Sequence, residues 1–162
     1  MIVLVMGVSG SGKTTIGKVL AKRLRLPFYD SDNYHSEENI KKMSHGKPLN
    51  DEDRFPWLNQ LANLLADWEA DEGAVLACSA LKKSYRDILN SKAENIRWVY
   101  LSGDLKTIQS RMKNREDHFM KSEMLTSQFD DLEPPMHAIE ISIKNPPETI
   151  IDLLLEKLKS NG

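Results

Sequence analysis

Length, composition and charge narrow the class of protein. The chain has 162 residues, 40% of them hydrophobic, which suits one compact domain with a full core over residues 1–162. The 22 Lys and Arg residues nearly balance the 24 Asp and Glu residues, for a net charge of −2, so no overall positive field would attract nucleic acid or an anionic membrane. The single cysteine, Cys78, cannot form an intrachain disulfide, and no apolar run approaches the roughly 18 residues of a membrane span. We therefore expect a cytoplasmic protein with no nucleic-acid or membrane partner.

Short apolar runs alternate with helical patterns along the chain. Several of the runs suit strands that are buried on both faces. The five predicted strands span residues 2–6, 26–29, 74–78, 98–101 and 139–143. This alternation predicts an α/β fold with a mostly parallel sheet and helices on both faces, and ligands of such sheets gather at the carboxyl ends of the strands.

Three apolar stripes with helical spacing lie between and after these strands. They comprise Ile16, Val19, Leu20 and Leu24; then Trp57, Leu61, Leu64, Leu65 and Trp68; and last Ile151, Leu154, Leu155 and Leu158. We expect the second helix to begin at Pro56, because proline suits a first helical turn. The third helix should follow Pro146 and Pro147 and close the core.

The sequence GVSGSGKTT lies directly between the first strand and the first helix. In it, Gly7, Gly12, Lys13 and Thr14 match the pattern GxxxxGK(S/T), which binds nucleotide phosphates in that structural context. Glycines let backbone N–H groups converge on the phosphates, the lysine reaches the β and γ phosphates, and the threonine hydroxyl can ligate Mg²⁺. The alternative is an ordinary glycine-rich turn.

Two aspartates end the second strand. Asp30 and Asp32 are two residues apart in YDSDNYH, and alternate residues of an extended segment face the same way. One carboxylate can hold Mg²⁺ or its water shell while the other accepts the proton of an attacking hydroxyl, as phosphoryl transfer requires. The alternative is an Asx turn in which Asp32 caps the following helix.

A turn ahead of the second helix supplies the next candidates. Asn50, Asp51, Asp53 and Arg54 occupy this predicted turn. Capping of the helix would explain Asn50 or Asp51, but it does not obviously explain Arg54. Arg54 is therefore left without a structural explanation at this point.

The segment CSALKKSYRD after the third strand combines small and basic residues. Ser79 lies at the rim of the predicted sheet, and Lys82, Lys83 and Arg86 follow it. Short donors and acceptors suit substrate hydroxyls, whereas Lys or Arg suits a carboxylate, so this segment fits a polyhydroxylated anionic substrate. For Lys82 and Lys83 the alternative is a solvated start of a helix.

A predicted lid spans residues 111–135. Arg111 and Arg115 lie one helical turn apart on a shared face, and guanidiniums near a γ phosphate suit a transition state with spread charge. A closing segment would also exclude water from the reaction. The alternative is a pair of surface arginines on a polar helix. We interpret the apolar residues of this segment as core rather than site: Met124, Leu125, Phe129 and Leu132.

Taken together, several motifs resemble those of gluconokinases of the small P-loop carbohydrate kinase type. These motifs are GVSGSGKTT, DSD, HSEEN, PLNDEDRFPWL, CSALKKSYRD and SQFDDLEPP, and they extend over almost the whole chain. The resemblance implies Mg²⁺-dependent phosphorylation of D-gluconate by ATP at the terminal 6-hydroxyl, giving 6-phospho-D-gluconate and ADP. It also implies a homodimer. The fold it implies is that of nucleoside monophosphate and shikimate kinases: three layers, a five-stranded parallel sheet in the order 2-3-1-4-5, and a mobile lid.

The resemblance also implies roles for individual residues on the nucleotide side. The residues expected to bind the phosphates of ATP are Gly7, Ser9, Gly10, Ser11, Gly12, Lys13, Thr14 and Thr15. Thr14 and Asp30 are expected at Mg²⁺, with Asp30 in the water shell of the metal. Arg115 is expected on the phosphates and Arg111 near the adenine, which the turn containing Pro146 borders. The catalytic set is Lys13, Asp32 and Arg115.

On the acceptor side, the resemblance implies that Asp32 takes the proton of the substrate hydroxyl. The other residues expected to bind gluconate are His35, Arg54, Ser79, Lys82, Arg86 and Gln128. Asp104 is a poor candidate for the magnesium aspartate of the usual second P-loop motif, because it is expected to cap the next helix. Two alternatives stay open: a kinase of another small hydroxylated acid, such as shikimate, and a nucleotide-responsive binding module that transfers no phosphate.

Overall fold

A five-stranded sheet forms the centre of the molecule. The structure is a computed structural model and describes residues 1–113 and 122–160. The strands are β1 (Ile2–Met6), β2 (Phe28–Asp30), β3 (Ala74–Ala77), β4 (Ile96–Ser102) and β5 (Ile139–Ser142). Every pairing is parallel and the order is β2-β3-β1-β4-β5. The predicted α/β class, the five strands and the sheet order are therefore confirmed.

Helices cover both faces of this sheet. They are α1 (Lys13–Leu24), α2 (Glu37–Ser44), α3 (Asp51–Ala70), α4 (Lys83–Leu89), α5 (Leu105–Lys113), α6 (Ser122–Asp131) and α7 (Pro147–Ser160), with a 3₁₀ turn at Ser31–Tyr34. Val3 and Val5 of β1 pack into a core with α1, α5, α6 and α7. Residues Ile2, Leu4 and Met6 face the opposite core, with α3 and α4. Among the described residues, no helix is long and apolar enough to cross a membrane.

Helix α3 begins earlier than the sequence predicted. The expectation of a start at Pro56 was wrong, because Asn50 and Asp53 form a capping box that starts the helix at Asp51, five residues before Pro56. The Asp53 N–H donates to Asn50 Oδ1 at 2.8 Å, and the Asn50 N–H donates to Asp53 Oδ2 at 2.9 Å. Pro56 lies inside the helix on its exposed side, where water can replace the missing backbone donor. Arg54 therefore projects from the start of a helix and not from a preceding turn.

The buried face of α1 also differs from the predicted stripe. Ile16 and Leu20 are buried as expected, but Val19 is 44% exposed. Gly17 takes its place against the sheet, where an added Cβ would lie 2.6 Å from the ring of Phe28. The small residue allows α1 to approach β2 closely, and this rotates the buried face of the helix away from Val19.

Candidate active site

A cleft opens at the carboxyl ends of β1, β2 and β3. It has a volume of about 310 Å³ and lies between the phosphate loop, the 3₁₀ turn, the α2–α3 region and α6. The sequence-predicted residues that line it are Ser9, Gly10, Gly12, Lys13, Thr14, Thr15, Asp30, Asp32, His35, Arg54, Ser79 and Gln128. Candidates for both phosphate binding and acceptor binding therefore share one cavity, at the edge of the sheet that the fold class predicts.

The phosphate loop has the backbone geometry that its glycines predict. Gly10 and Gly12 have φ angles of 82° and 95°, in the left-handed region that favours glycine. An added Cβ at Gly7 would lie 2.6 Å from Ser11 Oγ and 3.0 Å from the carbonyl oxygen of Leu101. Because Gly12 has no side chain to cap α1, the first N–H groups of the helix stay available for an anion in the cleft.

Lys13 and Thr14 begin α1 at the floor of the cleft. The Lys13 ammonium donates to the carbonyl oxygen of Val8 at 3.1 Å, so the side chain folds back along the loop. Burial lowers the pKa of Lys13, and the carboxylate of Asp32 opposes that shift. Thr14 Oγ1 donates to Asp30 Oδ2 at 3.1 Å, which brings together the two residues that the sequence assigned to Mg²⁺.

The sequence analysis left open that Asp32 makes an Asx turn and caps the next helix. In the structure it is Asp30, and not Asp32, whose side chain makes the Asx turn. The Asp32 N–H donates to Asp30 Oδ1 at 3.0 Å, while α2 is capped by Ser36, whose Oγ accepts from the Asn39 N–H at 3.1 Å. The side chain of Asp32 caps neither element and lines the cleft. The Asp32 side chain is 79% exposed within the open cleft. Partial desolvation by the cleft walls and the neighbouring Asp30 raise the pKa of Asp32, while Lys13 opposes the shift.

His35 is fixed beside Asp32 as a neutral imidazole. Its ring stacks on Trp57 with centroids 4.1 Å apart, and its Nδ1 lies 3.4 Å from the amide nitrogen of Asn39. Because that amide nitrogen can only donate, Nδ1 accepts and the proton lies on Nε2. Burial, and then the charge of Arg54, lower the pKa of His35 to about 4. A neutral N–H therefore faces Asp32, with Nε2 3.8 Å from Asp32 Oδ1.

Arg54 lies in a network of charged groups at the far end of the cleft. Its Nη1 donates to the Tyr85 hydroxyl at 2.8 Å and lies 3.5 Å from Asp131 Oδ2. The Tyr85 hydroxyl donates to Asp51 Oδ1 at 2.6 Å, and Lys82 Nζ donates to the same oxygen at 3.0 Å. Lys82 thus lies behind Arg54, paired with Asp51 and outside the lining of the cleft.

Helix α6, which belongs to the predicted lid, contacts the phosphate loop. The Ser9 N–H donates to Gln128 Oε1 at 2.6 Å, and the core contact of Leu125 anchors the helix. Phe129 and Leu132 pack at the same core, as predicted. Met124 was wrongly predicted to belong to the core alone, because it lines the cleft beside Gln128.

Arg86 is a candidate that the fold does not bring into the cleft. Its guanidinium is buried and donates to the carbonyl oxygens of Ala80 at 2.7 Å, Leu81 at 3.0 Å and Glu133 at 2.8 Å. These bonds hold the turn after β3 against the segment that follows α6. The neighbouring Ser79 does line the cleft.

Two of the predicted nucleotide contacts, Arg111 and Pro146, lie outside the lining of the cleft. Arg111 donates to the carbonyl oxygen of Ile143, just after β5, and Pro146 immediately precedes α7. Asp104 caps α5 as expected, because its Oδ1 accepts from the Thr107 N–H at 2.7 Å. Arg115 lies outside the described residues.

Several lining residues were missed by the sequence reasoning. They are Ser31, Met43, Pro48, Leu49, Trp57, Ala77, Met124 and Ser127. Trp57 was interpreted only as core, yet its Nε1 donates to the carbonyl oxygen of Ser31 at 2.8 Å and its ring supports His35. Helix α2 itself had a usable signal in Ser36 followed by Glu37 and Glu38, which is typical of a helix start.

Oxygen ligands for a cation are few in this cleft. Within residues 1–113 and 122–160, no three His, Cys, Asp or Glu side chains gather as a metal site. Thr14 and Asp30 offer the hydroxyl and carboxylate oxygens that Mg²⁺ prefers, and Mg²⁺ in kinases is usually completed by water and nucleotide phosphates. These two residues therefore fit a nucleotide-borne Mg²⁺ and not a protein-only metal site.

The sheet order, the phosphate loop and an aspartate in the same cleft define a P-loop kinase. The protein-family model described as Shikimate kinase matches residues 9–146. The chain is 47% identical to a probable gluconokinase of Rattus norvegicus, over 98% of this chain and 97% of that protein. It is 40% identical to the thermoresistant gluconokinase of Escherichia coli (strain K12), over 98% and 93% of the two chains.

A solved structure shows the same likeness. The crystal structure of a gluconokinase from Sinorhizobium meliloti 1021 has a TM-score of 0.87 to this chain and 38% sequence identity, and the match covers 99% of this chain and 97% of that one. The chain therefore belongs to the gluconokinase family, and the protein is a kinase. The alternative of a nucleotide-responsive module without phosphate transfer is not favoured.

Proposed function

We propose that the protein transfers the γ-phosphoryl group of ATP to the 6-hydroxyl of D-gluconate, giving 6-phospho-D-gluconate and ADP. The observation that supports this most directly is that Lys13, Asp32 and Arg54 line one cleft. A phosphate-binding lysine, a carboxylate near it and a guanidinium further away are the three groups that phosphorylation of a sugar acid requires. Membership of the gluconokinase family supports gluconate as the acid.

On the nucleotide side, the backbone of the phosphate loop and the start of α1 bind the phosphates. Lys13 would leave the carbonyl oxygen of Val8 to bind the β and γ phosphates. The predicted contacts of this loop are Gly7, Ser9, Gly10, Ser11, Gly12, Lys13, Thr14 and Thr15. Thr14 and Asp30 would hold Mg²⁺, which neutralises charge on the phosphates when it is bound. Arg111, Arg115 and Pro146 remain the predicted contacts to the phosphates and adenine.

On the acceptor side, Asp32 accepts the proton from the 6-hydroxyl. The hydroxyl oxygen then forms a bond to the γ phosphorus while the bond from that phosphorus to the β–γ bridging oxygen breaks. The raised pKa of Asp32 makes this carboxylate a better base than an ordinary one. His35 faces Asp32 with its neutral N–H and adds no charge there.

Arg54 binds the carboxylate of gluconate, and other groups bind its hydroxyls. Ser79 and Gln128 line the cleft with short polar groups that suit this task. Lys82 would reach the substrate only by leaving Asp51, and Arg86 would act by supporting the turn beside Ser79. A homodimer and a cytoplasmic location stay predictions.

An assay of ADP release tests the proposed function. ATP and Mg²⁺ are supplied with gluconate, shikimate, CMP or no acceptor, and the product is identified by mass. We expect ADP and phosphogluconate only with gluconate. ADP release with shikimate or CMP alone would contradict the acceptor and leave the reaction class in place. ATP binding without turnover on any acceptor would contradict the transfer itself.

A further inference from the structure

Helix α6 touches both ends of the cleft through one of its faces. Gln128 accepts from the Ser9 N–H of the phosphate loop at 2.6 Å. Asp131 follows three residues later, and its Oδ2 lies 3.5 Å from Arg54 Nη1. Residues three apart on a helix are neighbours on its surface. The same helix face therefore contacts the nucleotide end through an amide and the acceptor end through a carboxylate.

The carboxylate of Asp131 lies between two cations. Asp131 Oδ1 lies 4.0 Å from Lys82 Nζ, while the opposite oxygen faces Arg54. Both contacts are longer than the 3.0 Å bond between Lys82 and Asp51. Tyr85 already holds Arg54 at 2.8 Å, so Asp131 is not needed to fix the guanidinium in place. Its main effect is to neutralise positive charge at the acceptor end.

This position is where an incoming acidic group would be bound. The side chain of Arg54 is only 13% exposed and that of Asp131 is 26% exposed, so their charges are weakly screened by water. A substrate carboxylate that reached Arg54 with Asp131 in place would bring two like charges together, which is unfavourable. The repulsion weakens the contact of Asp131 with Arg54 when the substrate carboxylate arrives.

We propose that Asp131 is an internal counter-ion that the carboxylate of the acceptor displaces from Arg54, so that Asp131 limits affinity for sugar acids. The proposal rests on the proposed function, because it takes Arg54 as the group that binds the substrate carboxylate. Asp131 is then a specificity-determining residue that acts through Arg54 and Lys82 and does not touch the reacting atoms.

The test compares Asp131→Asn with Asp130→Asn. Asp130 is the exposed neighbour on the same helix, so the control makes the same change in net charge away from Arg54. KM and kcat are measured for gluconate at saturating ATP and Mg²⁺. We expect Asp131→Asn to lower KM for gluconate about threefold to tenfold with kcat within about twofold, as loss of a competing ion pair predicts. Asp130→Asn should leave both constants near those of the wild type.

A neutral acceptor analogue shows whether the effect of Asp131 depends on the charge of the substrate or on its shape. Glucitol has the chain of gluconate with a hydroxymethyl group in place of the carboxylate, and its affinity is measured as an inhibition constant against gluconate. We expect Asp131→Asn to leave that constant unchanged. An equal change for glucitol and gluconate, an equal effect of Asp130→Asn, or an unchanged or raised KM in Asp131→Asn would each overturn the proposal.

Two further measurements keep the result unambiguous. Asp131→Ser removes the charge with a smaller side chain and should lower KM in the same way, which covers a failure of Asp131→Asn to fold. Asp131→Glu keeps the charge and should return KM towards the wild-type value.

If the wild-type enzyme does not phosphorylate gluconate, the proposed function fails and this proposal fails with it. Wild-type turnover of gluconate with no fall in KM contradicts the Asp131 proposal alone.

Discussion

The two ends of the cleft are built in different ways. The nucleotide end is one continuous loop, Gly7–Thr14, whose binding groups are mostly backbone amides and a helix start. The acceptor end combines side chains from the 3₁₀ turn, α3, β3 and α6, held by contacts such as His35 on Trp57 and Arg54 on Tyr85. Backbone amides suit the nucleotide phosphates, which all P-loop enzymes bind, whereas side chains can differ between enzymes to fit one substrate. The loop therefore determines the class of reaction, and the side chains at the acceptor end determine which acceptor binds.

The largest expected effect comes from the residue where the two ends meet. Asp32→Asn removes the proton acceptor, so kcat should fall by roughly a hundredfold to ten-thousandfold, the range for a positioned general base. Affinity for ATP should stay within about twofold, because Asp32 is not a phosphate ligand. Steady-state kinetics and calorimetric titration with an ATP analogue measure the two quantities. Asp71→Asn, an exposed change at the end of α3, serves as the control, and normal turnover in Asp32→Asn would remove the residue from catalysis.

A change at the nucleotide end should affect both binding and rate. Lys13→Ala removes the cation expected on the β and γ phosphates, and we expect kcat to fall roughly a hundredfold to a thousandfold with weaker ATP binding. The matched control is Lys18→Ala, an exposed lysine on the same helix. Equal effects of the two substitutions, or full activity in Lys13→Ala, would contradict the role of the loop.

A change at the acceptor end should affect one substrate only. Arg54→Lys keeps the charge but loses the planar fork that binds a carboxylate and the bond to Tyr85. We expect KM for gluconate to rise about tenfold, with KM for ATP within about twofold. Arg23→Lys, on the exposed surface of α1, is the control. A parallel rise in both KM values would show that the two ends are not separate.

A different kind of effect, on stability and not on kinetics, is expected from His35. Burial lowers the pKa of this residue from 6.5 to about 4 in the folded protein. As the pH falls from about 6.5 to about 4, the unfolded chain takes up a proton that the folded chain does not, so His35 makes the wild type progressively less stable. The variant His35→Gln carries no such group. Denaturant unfolding measures the free energy of unfolding of both proteins. Between pH 6.5 and about 4, that of the wild type should fall relative to that of the variant, and below about pH 4 the difference should stay constant.

Asp32 titrates with the opposite sign, since its pKa is raised in the folded state. The folded protein then binds the proton first, and that contribution favours folding as the pH falls. Both proteins in the comparison contain Asp32, so its contribution largely cancels in the difference. A stability difference that did not change with pH would contradict a buried neutral His35.

Much of the fold could be predicted from local patterns. The buried runs of β1 and β3 and the loop between β1 and α1 are contiguous signals, and each element lies where it was expected to within a few residues. The start of α3 was missed because Pro56 is a conspicuous signal, whereas the capping box of Asn50 and Asp53 is a subtle one. The exposure of Val19 depends on the contact between Gly17 and Phe28, which is tertiary and leaves no local pattern.

The acceptor end could be predicted only in part. Arg54 and His35 were found through a resemblance, and the cleft does contain both. Lys82 and Arg86 look alike in sequence, yet one pairs with Asp51 and the other is buried against backbone carbonyls. A basic side chain has the same sequence signal whether it binds a substrate, a carboxylate or the main chain. Only the folded arrangement distinguishes these roles.

The position of the phosphate in the product tests the central claim most directly. The enzyme is incubated with ATP, Mg²⁺ and gluconate, and the product is examined by ³¹P NMR with coupling to protons. Phosphate on the terminal oxygen couples to the two protons of a CH₂ group, and this is the pattern that transfer to the 6-hydroxyl predicts. Coupling to a single proton would place the phosphate on a secondary hydroxyl, and it would contradict an acceptor held by Arg54 with its far end at Asp32.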